Sequence, residues 1–213
     1  MRGLFLSGIK CKPSIWSRTD DLLSHLSIDY VEYPHSVTQE ANSVSDLTKW
    51  VLATYRNTPY DFVVGHSMGG IIALELAADW GFACRRIILV DTNLKPANPF
   101  YRNLLTPRHM EEYGDELIQV MQAEAPYYRE ELRSSLQADF DYSSYVRRAS
   151  QEIYAIYGDR GQHGYPDRIR DLCLDEDVAE RISFAFVEDA CHMPMMENPQ
   201  ALAETISNIV SGT

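Results

Sequence analysis

Between Tyr60 and Leu74 the chain reads Tyr-Asp-Phe-Val-Val-Gly-His-Ser-Met-Gly-Gly-Ile-Ile-Ala-Leu. An apolar run leads into Gly65-x-Ser67-x-Gly69, and a second apolar run leads out. A serine hydroxyl is a weak nucleophile unless a base takes its proton and donors receive the negative charge it creates. A sharp bend from a buried strand into a helix serves the second need. It exposes the hydroxyl at the sheet's carboxyl edge and sets the N–H of Met68 at a helix N-terminus, where the dipole favours an oxyanion. Such a bend requires small neighbours, which Gly65 and Gly69 supply. The base comes from the other end of the chain. In Val187-Glu-Asp-Ala-Cys-His192-Met-Pro-Met-Met-Glu-Asn-Pro199 a strand ends, a short loop carries His192 and a capped helix follows. A neutral imidazole there can take the Ser67 proton and return it to the leaving group. His25, His35, His109 and His163 sit in no comparable context and read as surface or cap residues, while His66 reads as a shaper of the bend.

The elements that must position these groups follow from an alternation of apolar and amphipathic runs, the pattern of a parallel sheet covered by helices. Strands are expected at Gly3–Leu6, Ile28–Tyr33, Tyr60–Val64, Arg86–Val90, Ile153–Tyr157 and Ser183–Val187. Helices are expected at Ile15–Leu26, Ser43–Tyr55, Gly69–Trp80, near Leu172–Glu180 and at Pro199–Val210. Asn198 caps the last of these, with Pro199 in its first turn. From about Pro96 to Ser150 no strand pattern occurs, and helical stretches around His109–Ala123, Tyr128–Ala138 and Tyr142–Glu152 predict an inserted helical cap. The whole chain, 1–213, reads as one domain.

Composition narrows the partners. Nineteen Lys and Arg against 31 Asp and Glu give a formal charge of −12, which repels phosphate backbones and anionic lipid and argues against nucleic acid or a membrane face. No apolar stretch approaches the ~20 residues of a membrane span. The short apolar start reads as a core strand rather than a signal segment, so a cytoplasmic location is expected. Cys11, Cys84, Cys173 and Cys191 form no C-x-x-C pair and are expected to be reduced; no metal and no cofactor motif is present in the sequence.

With these residues in view, the chain resembles the α/β-hydrolase superfamily, and Gly65-His-Ser-Met-Gly-Gly70 resembles its lipase and esterase branch. The similarity runs in order through an oxyanion loop, the elbow, a cap, an acid loop and the His loop, where His192, Pro194 and Glu197-Asn198-Pro199 match. It implies a mostly parallel central sheet flanked by helices, with a helical cap insertion. Relatives usually open with two more strands, so this chain looks like a minimal form of the fold.

The resemblance also frames the third member of a triad. Chain order Ser…Asp…His suits an acid after the strand Ile153–Tyr157, where the sequence reads Tyr157-Gly-Asp159-Arg-Gly-Gln. Many relatives carry the acid three residues after that Gly, and Gly161 stands there instead. Asp159 is therefore offset by two. The rival is Asp91, at the end of Ile87-Ile-Leu-Val-Asp-Thr92; some relatives, dehalogenases among them, carry the acid at this strand end and have Gly at the later position. Asp159 is ranked first, Asp91 second, and Asp167 a distant third. The oxyanion loop is Leu6-Ser-Gly8-Ile9-Lys-Cys-Lys, in which Ser7 replaces the usual His and the N–H of Ile9 pairs with that of Met68. Lys10 and Lys12 are read first as loop residues in solvent, and second as a greeting for an anionic substrate. Met193, Met195, Met196 and the cap tyrosines are expected in the core or a pocket wall.

These features imply a serine hydrolase, a carboxylesterase acting through an acyl-enzyme on a small or medium ester-like substrate. Thioesterase, C–C hydrolase or hydroxynitrile-lyase chemistry would use the same residues. A ligand-binding protein without turnover is the reading from another class, motivated by the displaced acid and the absent oxyanion His. Dehalogenase chemistry is disfavoured, because those relatives place Asp at the elbow.

Overall fold

The computed structural model describes residues 1–137 and 139–212. Six strands form one sheet: β1 (Arg2–Leu6), β2 (Ser27–Val31), β3 (Phe62–His66), β4 (Arg86–Val90), β5 (Glu152–Gly158) and β6 (Ile182–Val187). Their order is β2-β1-β3-β4-β5-β6 and every pairing is parallel. Parallel strands covered on both faces must be apolar on both. Accordingly all five residues of β3 are buried, and so are all five of β4.

Alternate side chains of each strand feed two cores. Leu4, Leu6, Val63, Ile87 and Leu89 belong to one, and Phe5, Phe62, Val64, Ile88 and Val90 to the other. In chain order the α-helices are α1 (Ser17–Asp20), α2 (His35–Thr38), α3 (Val44–Tyr55), α4 (Met68–Trp80), α5 (Pro107–Glu124), α6 (Glu130–Ser134), α7 (Ser143–Arg148), α8 (Glu176–Ala179), α9 (Pro194–Glu197) and α10 (Pro199–Ser211). Helices α3, α4 and α7 cover the first face, and α9 and α10 the second. Between β4 and β5 the chain makes α5, α6 and α7 and no strand. Ala138, the expected end of one of these helical stretches, lies outside the described residues.

Three expectations need correction. The helical stretch read around Tyr142–Glu152 ends at Arg148, and Glu152 opens β5. The single helix read over Ile15–Leu26 is instead a chain of short 3-10 and α turns spanning Pro13 to Leu23. The Thr19 hydroxyl there donates to the Trp16 carbonyl at 2.7 Å, a local bond that competes with regular helix. The stretch Leu172–Glu180 is likewise a 3-10 turn at Arg170–Leu172 followed by α8, with Cys173 in the left-handed region (φ 56°) between them.

The topology fixes where a site can form. The chain leaves β1 toward β2, then crosses back to β3 on β1's other side. Loops following β1 and β3 therefore diverge and leave a crevice at their carboxyl ends, the usual ligand position in such sheets. Among the described residues no helix is long and apolar enough to cross a membrane.

Candidate active site

Ser67 occupies the turn between β3 and α4 with φ 52° and ψ −120°, a strained conformation for a side-chain-bearing residue. The strain is held by close backbone packing. A Cβ on Gly65 would lie 2.3 Å from the Gly69 carbonyl oxygen, and one on Gly69 would lie 2.4 Å from that of Leu6. The second contact presses the start of α4 onto β1. Below the bend, the Thr92 hydroxyl donates to the Ser67 carbonyl at 3.1 Å. The loop after β1 also touches the serine: a Cβ on Gly8 would come 3.1 Å from the Ser67 Cβ. Ser67, Met68, Ile9, Asp91 and His192 all line one cavity of about 240 Å³.

The structure brings Asp91, not Asp159, to the imidazole. His192 Nδ1–H donates to Asp91 Oδ1 at 2.9 Å. Asp91 is completely buried and sits at φ 44° just past the end of β4. Asp159 has other work. Its Oδ1 accepts the N–H groups of Gly161 and Asp189, both at 2.8 Å, and so pins the loop after β5 to the loop after β6. The physical reason is position in the sheet: β4 adjoins β3, which carries Ser67, whereas β5 lies one strand further away. Asp167 pairs with Arg170 at 2.8 Å.

Arg160 is the group that sequence reasoning missed. Its guanidinium is buried and forks onto Asp91, Nη1 to Oδ2 at 2.7 Å and Nη2 to Oδ1 at 2.8 Å. Its carbon lies 4.6 Å from the centroid of the Tyr101 ring. Asp91 Oδ2 also accepts the Gly158 N–H at 3.2 Å. Burial alone would raise the carboxyl's pKa, but the Arg160 charge and the His192 hydrogen bond hold it well below the usual carboxylate range. Asp91 is thus ionised and can only accept, which puts the proton of His192 on Nδ1 and leaves Nε2 with its lone pair.

The loop carrying His192 is fixed from behind. The Glu197 side chain accepts the N–H of Cys191 at 2.7 Å, that of Thr106 at 2.7 Å and that of Met193 at 3.3 Å. Arg108 Nη2 donates to His109 Nε2 at 2.7 Å, so the other ring nitrogen carries the proton toward Thr106 Oγ1 and Glu197 Oε1. His109, read as a surface or cap residue, lies on α5 within the 96–150 stretch read as the cap and is a buried brace there. The approach of this loop to β5 depends on Gly158, where a Cβ would lie 2.1 Å from the Ala190 carbonyl oxygen.

His66, read as a shaper of the bend, ties it to the His192 loop: its Nε2–H donates to the His192 carbonyl at 2.9 Å. Complete burial lowers its pKa to about 3, so the ring is neutral. His25 and His163 are exposed, and His35 faces Glu124 at 3.0 Å. Lys12 pairs with the same glutamate at 3.0 Å, whereas Lys10 lines the cavity. Met193, Met195 and Met196 are packed in the core on the α10 side of the sheet. Among the described residues no group of three or more His, Cys, Asp or Glu side chains is placed to hold a metal ion.

A serine on a strained strand-to-helix bend, with a carboxylate-held imidazole in the same cavity, defines a site of the hydrolase type. The sequence profile described as the alpha/beta hydrolase family matches residues 13–205, and the chain belongs to that family. No curated protein matches it. Among solved structures it is similar to MenH from S. aureus (TM-score 0.76, 11% identity, covering 100% of this chain and 94% of that one). It is also similar to the enol-lactonase from Burkholderia xenovorans LB400 (TM-score 0.71, 18% identity, 99% and 91% covered). A thermophilic esterase from Thermogutta terrifontis is a third (TM-score 0.68, 16% identity, 100% and 90% covered). At these identities the likeness is one of fold.

Proposed function

We propose that this protein is a serine hydrolase that cleaves carboxylic esters of small acids through an acyl-enzyme. The observation that carries this reading is the 2.9 Å bond from His192 Nδ1 to a buried, ionised Asp91, in the cavity that Ser67 also lines. In the forward step His192 Nε2 takes the Ser67 proton as the hydroxyl oxygen bonds to the ester carbonyl carbon. The N–H groups of Ile9 and Met68 receive the oxyanion, the second of them at the head of the 13-residue helix α4. Asp91 stabilises the imidazolium, which then protonates the departing alcohol. Water, deprotonated by the same imidazole, attacks the acyl-enzyme, releases the acid and restores Ser67.

That an esterase and an enol-lactonase share the fold supports an oxygen-ester substrate. The test is labelling with a fluorophosphonate followed by peptide mapping, together with hydrolysis of short-chain methyl esters. The adduct is expected on Ser67, and Ser67→Ala should lose turnover by several orders of magnitude. A wild-type protein that neither takes the label nor hydrolyses esters would overturn the proposal in favour of a binding role.

A further inference from the structure

The cavity beside Ser67 is small and carries positive charge. Its volume of about 240 Å³, near the ~300 Å³ lower end of ligand pockets, holds a short acyl group, and a second cavity adjoins it past Asn93, Leu136, Gln137 and His192. Three charged side chains line it: Asp91, Lys10 and Arg133. The charge of Asp91 is already matched by Arg160, so the two remaining groups are cations in a chain whose formal charge is −12.

Both cations have binding capacity left over. Among the described residues no carboxylate lies within ion-pair distance of Lys10. Among the described residues the one ion-pair partner of Arg133 is the exposed Glu130, one turn away in α6, through Nη2. Its Nε is buried and has no acceptor among the described residues. A buried guanidinium N–H without an acceptor is costly, and an anion entering the cavity would relieve it. The rest of the wall includes the apolar side chains of Ile71 and Leu136, which would flank a short carbon chain.

We infer that the substrate is the ester of a short dicarboxylic acid, or another small ester with a free carboxylate on its acyl side, whose carboxylate binds between Lys10 and Arg133 while the ester carbonyl meets Ser67. The inference rests on the hydrolase reading above and adds the substrate's charge. The chemistry is ordinary ester hydrolysis: the acyl carbon exchanges its alkoxide for the Ser67 oxygen, then for a water oxygen. The alcohol leaves with the proton held by His192.

The experiment compares monomethyl succinate with methyl 4-methylpentanoate, in which an isopropyl group replaces the carboxylate at equal size. Hydrolysis is followed by pH-stat in wild type, Lys10→Met and Arg133→Met. The expected result is a kcat/KM ratio of about tenfold or more in favour of the carboxylate ester. That preference should fall about fivefold in each variant, mainly through KM, and weaken with added salt. A ratio near or below one in wild type overturns the inference while leaving the hydrolase reading intact. So does a preference that neither substitution alters. Hydrolysis of neither ester overturns the inference alone if Ser67 takes the fluorophosphonate label, and overturns both if it does not.

Discussion

Arg160 makes the site's electrostatics testable. Asp91 Oδ1 accepts from His192 Nδ1 at 2.9 Å and from Arg160 Nη2 at 2.8 Å. The Arg160 charge lies ~4 Å from that of the Asp91 carboxylate, an attraction of about 4 kcal/mol at an effective dielectric of ~20, and against the upward push of burial it is the largest influence lowering that carboxyl. Arg160→Met removes it, so the Asp91 carboxyl should take up a proton at higher pH. A protonated Asp91 cannot compensate the imidazolium, so the acid limb of the kcat/KM profile should move toward higher pH. The substitution also leaves a buried charge unpaired, at a cost of about 3–5 kcal/mol in stability, so the profile is recorded well below the melting temperature. Arg160→Lys keeps the charge and loses the fork. It should lower the melting temperature with little movement of the limb. Steady-state kinetics from pH 4 to 9 on all three proteins is the assay. An unmoved limb in folded Arg160→Met would refute the reasoning.

Two further outcomes follow from buried groups. The unfolded chain protonates His66 near the ordinary 6.5, while burial holds the folded value at about 3. Stability from this group is whole above pH 6.5 and is lost as pH falls through that interval, by about 1.4 kcal/mol per unit. Urea unfolding of wild type and His66→Gln between pH 4 and 7 checks this, with a shallower acid dependence expected in the variant. Glu197→Gln places an amide NH2 where three backbone N–H groups need acceptors. A loss of about 1–3 kcal/mol in stability is expected, with kcat reduced more than KM is raised, as measured by thermal melts and kinetics.

The legible parts of the site were those encoded in contiguous sequence. The Ser67 elbow needs glycines at fixed offsets from the serine. The His192 loop needs a strand end, a short link and an Asn198–Pro199 helix start, and the Asn198 side chain does accept the Ala201 N–H. The buried strands were clear for the same reason: β4 is Arg-Ile-Ile-Leu-Val and matches its expected bounds. The acid was harder because Asp91 and Asp159 each follow a strand, and only the sheet order decides which one lies near the elbow. Gly161 in the usual acid position was the available signal for Asp91. Arg160, next to Asp159, offered none, since its partner lies 69 residues earlier in the chain. The burial of His109 within the stretch read as the cap is illegible for a similar reason, because its partner Glu197 is 88 residues away.

The assignment of Asp91 as the group behind His192 is tested most directly by the kcat of Asp91→Asn against that of Asp159→Asn on a hydrolysed ester. The variants are compared only where circular dichroism shows the native fold, and Asp91→Asn/Arg160→Met is included to remove the stranded guanidinium. Asp91→Asn and the double variant should lose about 10⁴ in kcat, while Asp159→Asn stays within about tenfold of wild type, consistent with its role in loop closure. Near-complete inactivation of a folded Asp159→Asn, with Asp91→Asn still active, would contradict the account.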